Sequence, residues 1–368
     1  MLAVAPRVLP EDTRRANRSL LLRALHHGGP ASRADLAKLV GLTPATVSSV
    51  VRELVESGLV DELGRISGGI GKPATMVGIE PDGRHIVALD LSEPERFHGA
   101  LVDLSGRIVE RRSFERDGAT GGADLDRVTA ICAEMVAAAE RPLLGVGIAT
   151  PGIVDQDGVV LRAARLEWRG QPVADLLAAE SGVPVHVAND ANAAAVAELT
   201  FGTGESADLL LVRIDQGVGA GLVLDGALYR GAYSAAGEIG HVVVDPDGAP
   251  CACGKRGCLE TEIAAPVLDE ILSHATPERQ AEAIRRAGGR LGVALAPLIS
   301  ALDVIDVVIS GPPPINTEAF REAAADEVAA RTMPEIGGRL TIRPAAFGGD
   351  DVVLGAAALV LDHELGIR

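Results

Sequence analysis

The sequence predicts an α/β protein in two unlike parts: a small N-terminal module of short helices and a hairpin, residues 1–80, and a larger body of alternating strands and helices. Three observations predict it. From residue 85 onward, apolar β-branched runs alternate with Ala-rich stretches, the pattern of strands separated by helices. Before residue 81 the apolar residues instead follow a helical period, broken at Gly28-Gly29-Pro30, Gly41 and Gly58. Charge divides at the same place. Residues 1–80 hold ten Lys and Arg against eight Asp and Glu, whereas the remainder holds 24 against 43. The join falls at Glu80-Pro81-Asp82-Gly83, where Pro and Gly specify a turn.

In the module, Arg14 to His27 carries Leu20, Leu21, Leu22 and Leu25, a helix that stops at the Gly-Gly-Pro run. Ser32 is placed to cap a second helix through Val40, with Asp35 three residues on, where a carboxylate suits the helix dipole. Thr43 caps a third, with Pro44 at its first position and Val47, Val50, Val51, Leu54 and Val55 at helical spacing. Leu59-Val60 opens a strand, Ser67 to Gly71 a turn, and Ala74 to Ile79 a returning strand. This is a winged helix-turn-helix, the arrangement that puts a recognition helix into the major groove of DNA. Thr43, Thr46, Ser48 and Ser49 are short hydroxyl donors for phosphates and base edges, Arg52 reaches the backbone, and Arg65 and Lys72 bracket the wing. The rival reading is a helical protein-interaction domain; the hydroxyl run at a helix N-terminus favours operator DNA. With so few cations and so acidic a body, one module binds weakly, which calls for a homodimer or homotetramer.

In the body, strands are expected at Val87 to Leu91, Ala100 to Leu104, Leu143 to Ile148, Val183 to Ala188, Leu209 to Ile214, Gly221 to Leu224 and Val304 to Ile309. Helices are expected at Leu125 to Glu140, Asn192 to Leu199, Gln280 to Leu302 and Glu318 to Ala330. Apolar residues make up 47% of the 368 but aromatics only 2%, so the core must be built from Ala, Val, Leu and Ile. No apolar run reaches the roughly 18 residues that cross a bilayer, and the N-terminus has no apolar signal core. A cytoplasmic protein without a membrane partner is expected.

Three of the four cysteines fall within eight positions, Cys251, Cys253 and Cys258, with His241 upstream. Clustering of this kind points to metal rather than to a disulfide framework. Three thiolates and one imidazole fill a tetrahedral Zn2+ site, which is therefore structural, with no position left for a reacting water. The competing reading is three reduced buried thiols. Cys132, alone on an Ala-rich helix, reads as core packing.

Together these residues resemble the ROK family, which groups sugar-responsive transcriptional repressors with sugar kinases of the actin-like ATPase (ribonuclease H-like) fold. Gly237-Glu-Ile-Gly-His241, the cysteine cluster and Gly257-Cys-Leu-Glu260 are similar to the family's sugar-and-zinc segment. Asp215-Gln-Gly-Val-Gly-Ala-Gly221 is similar to its Gly-rich loop, and Ala188-Asn-Asp-Ala-Asn192 to the strand end carrying its catalytic Asp. Gly71-Lys72-Pro73 resembles the wing of the repressor members, which commonly have Arg where Lys72 stands. The resemblance implies two lobes, residues 81–190 with 343–368 returning to them, and 191–342. It further implies that Asn189, Asp190, Glu238, His241 and Glu260 bind a sugar. These residue types suit that role independently, since carboxylates and an amide exchange hydrogen bonds with vicinal hydroxyls. Taken singly, each reads equally well as a cap or a surface carboxylate. Arg165 falls where sugar-binding members often have Asn.

The implied fold also phosphorylates sugars, with Asp190 as the base. A kinase needs two phosphate loops and Mg2+. Kinase members follow the first strand's Asp with Gly, Thr and a basic residue; here Asp90 is followed by Leu91-Ser92-Glu93-Pro94-Glu95-Arg96. Pro94 lacks an N–H donor, and Glu93 and Glu95 would face phosphate oxygens, with like charges 4 Å apart costing roughly 4 kcal/mol at an effective dielectric of 20. Gln216 stands where kinases carry Thr, and Gly217, Gly219 and Gly221 read as a hairpin turn. The expectation is therefore a sugar-responsive regulator, with a monosaccharide, sugar phosphate or amino sugar as effector and without ATP/Mg2+. The alternatives are an ATP-dependent sugar kinase retaining a DNA-binding extension, and a sugar-blind regulator controlled by a protein partner.

Overall fold

The computed structural model describes residues 10–66, 74–116, 118, 120–204 and 206–368. In the module, α1 (Pro10–Gly28) buries Leu21, Leu22 and Leu25. After the short β1 (Ala31–Ser32), the Ser32 hydroxyl accepts the Asp35 N–H at 3.1 Å and starts α2 (Arg33–Val40), which Gly41 ends at φ 68°. The Thr43 hydroxyl accepts the Thr46 N–H at 3.2 Å and starts α3 (Pro44–Glu56). Val47, Val50, Val51 and Leu54 turn inward from α3, leaving Thr43, Ser49 and Arg52 exposed. Strands β2 (Val60–Ile66) and β3 (Ala74–Ile79) form an antiparallel hairpin with β1 at its edge, in the order β1-β3-β2. Arg65 pairs through its backbone with Thr75. The expected turn at Ser67 to Gly71, with Lys72 and Pro73, lies outside the described residues.

Two five-stranded sheets form the body. The first contains β4 (His85–Asp90), β5 (Arg96–Asp103) and β6 (Ile108–Glu115) as an antiparallel meander. After α4 (Gly122–Ala138), β7 (Leu143–Thr150) pairs parallel to β4. A small flap of β8 (Ile153–Val154), β9 (Val160–Ala163) and β10 (Trp168–Gln171) follows, then α5 (Val173–Ser181) and β11 (Val185–Asn189), parallel to β7. The sheet order is β11-β7-β4-β5-β6.

Helix α6 (Asp190–Phe201) leads to the second sheet: β12 (Leu209–Ile214), β13 (Val218–Leu224) and β14 (Ala227–Leu228). Past the cysteine loop come α7 (Glu260–Ile263), α8 (Ala265–Ser273) and α9 (Pro277–Leu302). Then β15 (Asp306–Ser310), α10 (Glu318–Ala329), α11 (Pro334–Gly337) and β16 (Thr341–Pro344) complete the order β14-β13-β12-β15-β16.

The last helix, α12 (Asp351–Val360), is buried along its whole length. It lies against the first sheet so closely that a Cβ at Gly147 of β7 would sit 1.8 Å from the Ala356 carbonyl, and against α6 so closely that a Cβ at Gly355 would sit 2.1 Å from the Ala193 carbonyl. Among the described residues no helix is long and apolar enough to cross a membrane.

The expected strands and helices occur, with two differences of substance. Strand β6 and helix α12 lie outside the expected set, as do the β8–β10 flap, α5, α8 and β16. Gly219 and Gly221 do not turn the chain: they lie inside β13, opposite Arg213 and Leu211, and the reversal is confined to Asp215–Gly217. The glycines are there because α6 crosses the strand, leaving a Cβ at Gly221 only 2.5 Å from the Ala191 carbonyl.

Candidate functional site

The parallel strands of both sheets end at one crevice, the place where open α/β sheets bind ligands. Asp90 ends β4, Asn189 ends β11, Ile214-Asp215 ends β12 and Ser310 ends β15. Asn189 caps α6: its Oδ1 accepts the Ala191 and Asn192 N–H groups, and its Nδ2 donates to the Gly152 carbonyl and to Asp190 Oδ1, both at 2.9 Å. The cap aims Asp190 into the crevice. From the opposite side, Glu260 at the start of α7 accepts the Val218 N–H at 3.2 Å. Glu238 sits 3.9 Å from His241 Nε2. Burial pushes the Glu238 carboxyl above its usual range; the His241 imidazole opposes this, and the charges of Asp190 and Glu260 add to it. These mutual influences place Asp190, Glu238, His241 and Glu260 about one space, with Asn189 beside Asp190.

The residue that sequence reasoning missed is Arg213. Its Nη2 donates to Ser92 Oγ and to Asp215 Oδ2, each at 2.9 Å, and its Nε lies 3.7 Å from Asp190 Oδ2. Burial alone would lower the guanidinium pKa; Asp190, Asp351, Asp90 and Asp215 more than offset it and leave it raised. Asp90 and Asp351 are raised by burial, with Arg213 opposing. Asp351, also unforeseen, accepts a hydrogen bond from the Ser310 hydroxyl. The segment after Asp90 folds inward. Ser92 is buried, donates its N–H to Asp90 at 2.8 Å, and receives Arg165 on its carbonyl at 3.3 Å. Glu93 pairs with His98 at 3.0 Å instead of pointing freely into the crevice.

The cysteine loop stands beside this crevice. His241, Cys251, Cys253 and Cys258 bring one ligand atom each within 4.8 Å of the others. Cys251 Sγ is 3.6 Å from His241 Nδ1, and Cys253 Sγ is 3.6 Å from Cys258 Sγ. A tetrahedron with metal–sulfur bonds of about 2.3 Å has edges of about 3.7 Å, so the donor set fits a metal ion. Backbone reversal at Gly257, φ 64°, returns Cys258 to the cluster, and a Cβ there would meet the Asp245 carbonyl at 1.4 Å. Arg290 of α9 clasps the loop through Asp245 at 2.6 Å. Burial pushes the Cys258 thiol up to about 12, with the neighbouring cysteines adding to the rise. The buried Cys258 thiol in particular ionises readily only beside a cation.

Around α3 none of the expected DNA-facing residues Thr43, Thr46, Ser48, Ser49 and Arg52 is buried. Thr43 and Thr46 engage each other, with hydroxyls 2.9 Å apart, while Ser48, Ser49 and Arg52 make no side-chain hydrogen bond or ion pair among the described residues.

A winged helix-turn-helix mounted on a two-lobed body of kinase-like architecture is the class that this fold and crevice define. The chain belongs to the ROK family, which it matches over residues 94–363, and residues 13–65 match the MarR family. It is 28% identical, over 96% of both chains, to the xylose repressor of Bacillus subtilis strain 168. It is 30% identical to the DNA-binding transcriptional repressor Mlc of Escherichia coli K12, over 94% of this chain and 93% of that one. A ROK family transcriptional regulator homologous to the E. coli MLC protein has the same fold, with a TM-score of 0.83 at 24% identity over 96% of this chain and 98% of that one. The ROK family glucokinase of Streptomyces griseus, solved with glucose and AMPPNP, matches 75% of this chain and 98% of its own at 25% identity and a TM-score of 0.65.

Proposed function

We propose that this chain is a sugar-responsive DNA-binding transcriptional regulator, a repressor of genes for carbohydrate metabolism or transport. One observation carries the reading: a recognition helix with an exposed hydroxyl and arginine face is built into the same rigid chain as a crevice gathering Asn189, Asp190, Glu238, His241 and Glu260. The module at residues 1–80 binds operator DNA through α3, with Thr43, Thr46, Ser48 and Ser49 near phosphates and base edges and Arg52, Arg65 and Lys72 on the backbone. Two copies in a dimer read two half-sites. The body, divided at about residue 190 with 343–368 on the first lobe, takes a monosaccharide, sugar phosphate or amino sugar in the crevice. Asp190 and Glu260 accept from its hydroxyls, and the Asn189 cap fixes the direction of Asp190.

Zn2+ fits the four-ligand cluster and supplies a fixed anchor for the loop that presents His241 and Glu260. With Nδ1 among the thiolates, His241 keeps Nε2 for the crevice. A DNA-bound regulator acts in the cytoplasm.

Several features argue against the sugar-kinase reading. Arg213 already pairs with Asp215 and lies 3.7 Å from Asp190, and Ser92 is buried and turned toward Asp90. Five polar contacts at about 1–2 kcal/mol each suffice for the roughly 5.5 kcal/mol that drives a 1:99 to 99:1 switch, provided most form only in the closed state. The test is a thermal-shift screen of the full chain with D-xylose, D-glucose, N-acetylglucosamine and its 6-phosphate, repeated with a duplex selected by the protein from random sequence. Stabilisation by one sugar, together with altered duplex affinity, is expected. No response to any sugar would favour a partner-controlled regulator, and sustained ADP release with ATP would favour the kinase.

A further inference from the structure

Helices α6 and α12 share an arrangement that neither the sugar set nor the DNA set includes. Each begins with an aspartate under the influence of Arg213: Asp190 opens α6, 3.7 Å from the Arg213 Nε, and Asp351 opens α12, where Arg213 opposes the rise that burial gives its carboxyl. Each ends on α1 of the DNA-binding module. At the far end of α6, the Thr200 carbonyl accepts His26 Nε2 at 2.9 Å, and the Phe201 ring lies 5.9 Å from the His26 ring. Beyond α12 the chain winds through Leu361–Leu365, and the helical winding ends at Gly366, φ 67°. There α1 holds it at three carbonyls: Arg15 to His363 at 2.9 Å, Arg23 to Gly366 at 2.6 Å and His27 to Arg368 at 3.0 Å. Leu365 and Ile367 are buried in one cluster with Leu21, Leu22 and Leu25. Between their ends the two helices touch at Gly355 and Ala193 with no space for a Cβ. At 1.5 Å per residue the α6 strut spans about 18 Å and the α12 strut about 15 Å.

We infer that the α6/α12 pair is the coupling element between crevice and reader, with Arg213 and Asp351 as positioning residues at its ligand end and His26 and Arg23 as the attachment at its reader end. This rests on the sugar-sensor reading. A ligand hydroxyl that takes up Asp190 redraws the pairing of Arg213 with Asp190 and so changes the charge that Arg213 presents to Asp351. Because the helices are packed backbone against backbone at Gly355 and Ala193, their N-terminal ends move as a unit, and the base of α1 follows. Contiguity counts as coupling only if perturbing one end changes the other, and the effect must be reciprocal.

Two experiments test this, and the first needs no sugar. In the full-length Asp351→Asn protein, amide hydrogen exchange at residues 14–27 and 361–368 is expected to rise at least about threefold while α9 stays unchanged. No change at the junction, or an equal rise in α9, would overturn the inference. The second uses the Arg23→Met/His26→Phe double variant with whichever panel sugar stabilises the parent protein. Its sugar midpoint is expected to stay within about twofold, whereas the sugar-dependent change in duplex affinity falls from about tenfold to less than about twofold. A full response in the double variant would overturn it. If no sugar in the panel binds, the sensor reading fails, and the exchange experiment still decides the coupling.

Discussion

Arg213 shows what a single position can hide. In sequence it is one charge in Leu209-Leu-Leu-Val-Arg-Ile, an otherwise apolar strand, and only the register opposite Gly219 turns it into the crevice. That lone charge in a buried run was the available signal. The caps were readable because their chemistry is local: Ser32 and Thr43 bond N–H groups three residues on. His241, Cys251, Cys253 and Cys258 were readable as a set for a similar reason, since softness and spacing select the ion before any fold is known. The three-dimensional packing adds a consequence. Cys258 is fully buried and its thiol is held above its usual range, so a metal-free loop leaves a buried thiol at that corner of the cluster. Cys258→Ala, or chelator treatment of the parent protein, is expected to remove one metal ion per chain. The thermal midpoint should drop by about 3 °C, the size that roughly 2 kcal/mol produces in a chain of this length. Metal analysis of the purified chain checks the first outcome and calorimetry the second; a Cys258→Ala protein with full metal content would exclude the site.

Elements were legible where their faces differ and obscure where they do not. Strand β6 reads Ile108-Val-Glu-Arg-Arg-Ser-Phe-Glu, and its burial alternates residue by residue, so the period of two was present but masked by charge. Helix α12 fails in the opposite way. It is buried on every side, so Val352 to Val360 has no polar stripe to give a helical period. The junction of α1 with the C-terminal strut brings its own pH dependence. Burial lowers the pKa of His26, with the Thr200 carbonyl opposing and His27 assisting. Burial lowers that of His363 too, with His186 and Arg230 assisting and Asp362 and Glu364 opposing. A histidine depressed in the folded state favours folding above its unfolded value of about 6.5, and that contribution is lost as pH falls through the lower folded value. The junction is therefore expected to loosen between pH 7.5 and pH 5.5, seen as lower protection of the amides at residues 14–27 once exchange is corrected for the pH dependence of the intrinsic rate. His26→Gln/His363→Gln should flatten the change, and an unaltered pH response in that variant would assign it to other groups.

At the scale of the whole molecule the governing fact is the uneven charge: a slightly basic module on a body that brings the chain to −17. The body repels DNA, and at 0.1 M salt that repulsion is screened beyond about 10 Å. Affinity must then come from the few cations that α3 and the wing bring to the duplex, about four phosphates per module. The slope of log affinity against log salt is about −0.9 per phosphate neutralised. One module acting alone predicts a slope of about −4, whereas two modules held by a dimer on half-sites one helical turn apart predict about −7. Between 50 and 200 mM KCl these differ by about two powers of ten in lost affinity, well within the range of a fluorescence anisotropy titration. We expect the steeper slope with two chains per duplex by sedimentation. A slope near −4 with one chain bound would mean that the acidic body does not pair its reader heads on DNA, and that the winged helix works alone.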